Sequence, residues 1–131
     1  MMAAIFERLF PRAKQRGLRL ITINLRDYSG STPYTSAELA DFTNEDVAVQ
    51  ASAIRRLGAE IGAFLVYACT TLGVPPITTK EGKRASGLVF GTWSLSTEGL
   101  LAIFRDTQTL DKGQKDVLQR YLRKAIAYGG L

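Results

Sequence analysis

The chain contains no histidine and a single cysteine among its 131 residues. Without histidine it lacks the side chain that most often takes and returns protons near neutral pH. It also lacks the commonest nitrogen ligand for zinc, copper or iron. Carboxylates alone would have to build a transition-metal site, and no tight acidic cluster converges along the sequence, so neither a metal nor a cofactor is expected. Cys69 excludes a disulfide framework and any CxxC-type redox or metal site; on its apolar stretch it reads as a packed thiol. Long hydrophobic runs are missing too. The longest, Ile61 to Cys69, falls well short of the roughly twenty residues that cross a bilayer. The start, MMAAIFERLFPRAKQRG, has no apolar run bounded by a cleavage site, so secretion is not indicated and a cytoplasmic protein is expected. Its arginine content leaves an organelle-targeting segment as the competing reading.

What is present suffices for a core. Hydrophobic residues make up 46% of the chain against 22% charged, at a length typical of one domain, so a single domain over 1–131 is expected. The formal charge of +5 invites a nucleic-acid partner. The basic residues, however, fall in three groups, Arg12 to Arg19, Lys80 to Arg84 and Arg120 to Lys124, each flanking a helix end or loop. With no recognition helix, aromatic platform or continuous basic face evident, no specific nucleic-acid binding is expected.

The order of elements points to an α/β protein. Ala3 to Arg16 is amphipathic and stops at Gly17, with Pro11 placing a kink or a start near its middle. Leu18 to Asn24 (LRLITIN) reads as a short buried parallel strand, and Arg26 to Ser36 as an irregular loop. A long helix is expected over Asn44 to Leu72, with Thr43 and Asp46 as a capping-box-like pair. Small or apolar residues at 47, 51, 54, 58, 61, 65, 68 and 72 would form its inner face. After a polar loop through Lys80, Glu81 and Gly82, Ser86 to Gly91 reads as a second buried strand. That would make a right-handed βαβ unit. Helices over Leu95 to Phe104 and Gln114 to Lys124 and a third strand from Ala125 to Tyr128 complete a doubly wound pattern with a parallel sheet of two or three strands.

Within that order, Gly87 to Gly99 (GLVFGTWSLSTEG) reads as a buried strand, a sharp turn with Ser94 at its apex, and a helix: a nucleophile elbow. Ser94 is the candidate nucleophile, and the amide of Leu95 the candidate oxyanion donor. Residues two before and two after such a serine are usually glycine, because strand and helix approach closely. Here they are Thr92 and Ser96. An ordinary strand-to-helix turn with Ser94 as helix cap explains the same residues.

Taken together, LRLITIN with Arg26, Asp27, Gly30 and Ser31, the long helix, and LVFGTWSLS resemble the α/β-hydrolase fold family, particularly its large fungal esterase-like group. The resemblance spans nearly the whole chain and corresponds to the middle of that family's domain. It implies serine-type ester hydrolysis as the ancestral activity and a small acyl or ester ligand. It also implies a triad in the order Ser, Asp or Glu, His, yet no histidine exists here. Where the acid is expected, Tyr128 is followed by Gly129 and Gly130. The family's second oxyanion donor comes from a loop before the first helix, where this chain begins. Asp27 and Glu98 are the acids nearest Ser94 by topology, and their ordinary roles are loop hydrogen bonding and helix-start charge compensation. A serine-lysine dyad would need Lys80 or Lys83, both expected at the opposite end of the nucleophile strand, and Arg84 cannot act as base.

The expected function is thus a hydrolase relative that is inactive as this chain. The competing reading is a non-catalytic pseudo-hydrolase or a truncated binding module, self-associating or pairing with a related chain through exposed sheet edges. A third reading, an unrelated βαβ domain holding a phosphorylated ligand on Ser29, Gly30 and Ser31, lacks a GxGxxG or P-loop pattern.

Overall fold

The computed structural model describes residues 6–129. They form a mixed α/β protein whose chain divides into two compact units, 1–40 and 41–131.

In the first unit, α1 (Leu9–Gln15) puts Pro11 in its opening turn, where a missing N–H costs nothing, and ends at Gly17, with φ +64°. The sequence start of this helix, Ala3 to Ile5, lies outside the described residues. Leu18 to Asn24 is not a strand. Its β-branched residues favour a pleated surface, but that preference is realised only against a partner, and among the described residues no strand pairs with it. Leu18 is 61% exposed. The loop after it is organised by Arg26, whose guanidinium donates to Glu38 Oε1 at 2.8 Å, Glu38 Oε2 at 3.0 Å and the Pro33 carbonyl at 2.9 Å. The same group lies 4.2 Å from the centre of the Tyr34 ring. A further helix, α2 (Ser36–Phe42), starts from a capping box. The Thr35 N–H donates to Glu38 Oε2 at 2.8 Å and the Glu38 N–H to Thr35 Oγ1 at 3.2 Å.

The second unit is built on α3 (Val47–Thr71), 25 residues and about 37 Å long at 1.5 Å per residue. Its cap is Asp46, which accepts from the Ala48 N–H at 2.8 Å, so the Thr43–Asp46 box is not the cap. The buried face runs through Ala53, Leu57, Gly58, Ile61, Gly62, Leu65, Ala68 and Cys69. The expected face at 47 and 51 is outside it, and Val47 is 75% exposed. Small residues let a second helix approach: α4 (Ser96–Arg105) lies so close that Gly58 and Gly99 face each other without side chains, while Leu110 sits over Gly62. Leu57, Ile61 and Leu65 fill the resulting layer, each contributing roughly 1.5–3 kcal/mol by burial.

Between α3 and α4 the chain makes β1 (Ile77–Lys80), β2 (Lys83–Ser86) and β3 (Leu88–Trp93). β1 and β2 form an antiparallel hairpin in place of the expected polar loop. Glu81 and Gly82 both take positive φ, +51° and +74°, as a two-residue type I′ turn requires. The second expected strand is β3, shifted toward Trp93, because Ser86 and Gly87 turn the chain at φ +57° and +75°. After α4 comes α5 (Lys112–Tyr121), closed at its start by a reciprocal Asp111–Gln114 capping box. It passes directly into β4 (Leu122–Tyr128). β4 pairs with β3 in parallel, from Leu88↔Leu122 to Trp93↔Tyr128. The parallel unit therefore joins β3 to β4 through α4 and α5, not 18–24 to 86–91 through the long helix.

Candidate functional site

The turn between β3 and α4 holds Ser94, and its backbone is strained. Ser94 has φ +56°, in the left-handed region that costs an L-residue about 1–2 kcal/mol. Its backbone is held on both sides: its N–H donates to the Tyr128 carbonyl at 3.2 Å and its carbonyl accepts from the Thr97 N–H at 2.8 Å. β4 and the first turn of α4 thus fix the apex, and the side chain is exposed. Among the described residues nothing hydrogen-bonds the Ser94 hydroxyl, and the Leu95 N–H donates to no acceptor. An exposed serine beside a free amide can offer a hydroxyl and one N–H to a carbonyl oxygen. Among the described residues no side chain hydrogen-bonds that hydroxyl as a general base would.

The two residues that replace the expected glycines have structural work. Ser96 Oγ donates to the Trp93 carbonyl at 2.7 Å and accepts from the Trp93 N–H at 3.0 Å, closing the end of the strand. Thr92 is buried; its Oγ1 lies 3.3 Å from Thr97 Oγ1 and donates to the Ile126 carbonyl at 3.4 Å, tying β3 to α4 and β4. These hydroxyls were visible in the sequence, but their roles depend on β4, whose start the helical spacing of Leu118, Tyr121 and Leu122 conceals.

The other candidates are not gathered here. Glu98 stands in the first turn of α4, facing the positive end of the helix. Asp27, at φ +69° in the first unit, accepts from the Tyr34 N–H at 3.3 Å. Also in that unit, Ser31 Oγ donates to the Asn24 carbonyl at 3.4 Å. Lys80 and Lys83 flank the hairpin turn, and the hairpin leads into the start of β3, whereas Ser94 follows its end. Just after β4, Gly129 lies against Trp93: a Cβ there would come within 2.8 Å of the indole. Bare backbone therefore occupies the position at which the resemblance implies an acid; Gly130 lies outside the described residues.

An open depression of about 350 Å³ lies between α3 and α4, lined by Val47, Ile54, Arg55, Ala102 and Asp106 among others, and Ser94 is not part of it. Arg55 and Asp106 form an ion pair there at 3.3 Å. Cys69 is buried, and the loss of water around it raises its thiol pKa. Among the described residues no cluster of His, Cys, Asp or Glu could hold a metal ion. No helix among them is long and apolar enough to cross a membrane.

The fold and this turn define a mixed α/β protein with a strained serine at a strand-to-helix apex. Comparison with family models, curated proteins and solved structures gave no match.

Proposed function

We propose that this chain is an α/β-hydrolase-like protein that keeps the serine elbow without turnover, and that the elbow serves as a binding site for a small acyl or ester group. The observation that carries the reading is Ser94 at φ +56° between β3 and α4, with the parallel strand β4 alongside. A strained serine at the end of a parallel strand is the arrangement the elbow requires. The chain has no histidine to take the proton, and Gly129 stands where the acid would. The Leu95 N–H then acts on a ligand carbonyl by hydrogen bonding alone.

Hydrolysis of p-nitrophenyl butyrate by the wild type and Ser94→Ala, together with ¹⁵N NMR during titration with butyramide, tests this reading. Equal ester rates for the two proteins and a shift centred on the Leu95 amide are expected. A wild-type rate more than about tenfold above Ser94→Ala would make the protein an active serine hydrolase instead. An unmoved Leu95 amide would remove the ligand site.

A further inference from the structure

Two of the three basic groups that are separate in the sequence are neighbours in the second unit. The base of the β1–β2 hairpin packs on the junction of α5 and β4: a Cβ on Gly87 would come within 2.7 Å of the Tyr121 carbonyl and 3.4 Å of Arg123 Cβ. The Arg123 guanidinium donates to the Arg84 carbonyl at 3.3 Å. The β3–β4 register slips between Leu88 and Val89, so Arg123 is the extra residue of a bulge, the device that re-aims a side chain. Lys80, Lys83, Arg84, Arg120, Arg123 and Lys124 therefore belong to two adjoining elements, with Lys80 and Lys83 on one face of the hairpin and Arg84 on the other.

Cations outnumber acids on the hairpin and junction. Together these hold six of the 17 Lys and Arg residues against two of the 12 Asp and Glu residues, Glu81 at the hairpin turn and Asp116 one turn before Arg120. Their excess of four accounts for most of the formal +5 of the whole protein. Among the described residues none of the six cations pairs with a carboxylate, and Asp116, one turn before Arg120, forms no ion pair with it. Lys80 and Lys83 are directly opposed across the hairpin, a like-charge pairing that destabilises a free ribbon and that a bound polyanion would relieve.

We propose that this hairpin and junction bind the phosphate backbone of a duplex nucleic acid without reading its sequence. Lys, Arg and Thr are the side chains that contact phosphate and sugar, and the hairpin adds Thr78 and Thr79 to its cations. A two-stranded ribbon also has the width that the major groove of about 12 Å admits. The hairpin carries no aromatic side chain on which unpaired bases could stack, and the one at the junction, Tyr121, is half-buried with the Arg120 guanidinium 5.7 Å from its ring. Nor does it carry the exposed apolar side chains that a membrane anchor needs: Ile77 and Ala85 are both half-buried.

Fluorescence anisotropy with a labelled mixed-sequence DNA duplex of about 20 base pairs, titrated with the full chain across a salt series, tests the proposal. With all six cations engaged, log K falls against log salt with a slope of about −5. Lys80→Gln with Lys83→Gln lowers that slope by about 2 and, by removing the repulsion, leaves the melting temperature unchanged or raised. Lys14→Gln with Lys112→Gln removes the same net charge elsewhere and leaves the slope unchanged. Absence of duplex binding, equal losses in the two double variants, or tighter binding to a single strand or to phosphatidylserine vesicles would each overturn it.

Discussion

Gly58→Ala tests whether the close approach of α3 and α4 organises the core. An added methyl would sit 2.9 Å from the Gly99 carbonyl oxygen and 3.0 Å from both Ala102 Cβ and Thr109 Cγ2. Comfortable carbon contacts are about 3.5–4.0 Å, so the helices would have to part by roughly half an ångström or more. Alanine gains about 1 kcal/mol of helix propensity over glycine, whereas overpacking a filled core costs about 1–3 kcal/mol. One neighbour is backbone and another is a Cβ, neither able to rotate away, which places the cost near the top of that range. The net expectation is a loss of about 1–2 kcal/mol. Urea unfolding followed by circular dichroism at constant m-value measures it. Gly113→Ala is the control: its methyl would meet only Asp111 Oδ1 at 3.4 Å, and it should gain about 0.5–1 kcal/mol. If Gly58→Ala were stabilised like the control, the α3–α4 contact would not be as close as described.

Two further outcomes follow from local geometry. Ser94→Gly should raise stability by about 1 kcal/mol in the same urea experiment, because glycine takes positive φ without strain and the serine hydroxyl makes no hydrogen bond among the described residues; a loss would mean that the apex is not strained. Hydrogen bonds from Arg26 and from the Thr35 N–H hold the Glu38 carboxyl down at about 2, against an ordinary 4.5. The stabilisation it provides is therefore fully present above about pH 4.5 and disappears as pH falls through about 2. A ¹³C titration of the Glu38 carboxyl should have its midpoint near 2, and a midpoint near 4.5 would refute the Arg26 contact.

The parts of this fold that the sequence disclosed are those whose signal is local and repeated. α3 and α4 declare themselves by apolar spacing, and β3 by its run into a turn. Other signals were equally local but hidden by polar composition. Thr35 and Glu38 spell a capping box inside what reads as loop, and Glu81-Gly82 spells a type I′ turn between strands too polar to look like strands. LRLITIN failed for the opposite reason: its β preference is strong, but a strand exists only with a partner, and pairing is not written in the segment itself. The position of Ser94 at the apex of a strand-to-helix turn was legible; its positive φ was not. The hydroxyl bonds of Thr92 and Ser96 were not, nor was the meeting of Arg84 with Arg123, because each depends on where a distant segment arrives.

The parallel pairing of β3 with β4 also bears on how the molecule reaches its folded state. Leu88 meets Leu122 only after the intervening chain has been wound into α4 and α5. An antiparallel hairpin such as β1–β2 closes a two-residue loop and can form within microseconds. A parallel pair has no such local nucleus and bears the entropy of a long closure before its first hydrogen bond forms. Helix formation is therefore expected to precede the sheet. The Ser94 apex, which takes one of its two backbone anchors from Tyr128 of β4, should acquire its strained conformation in the last step of folding.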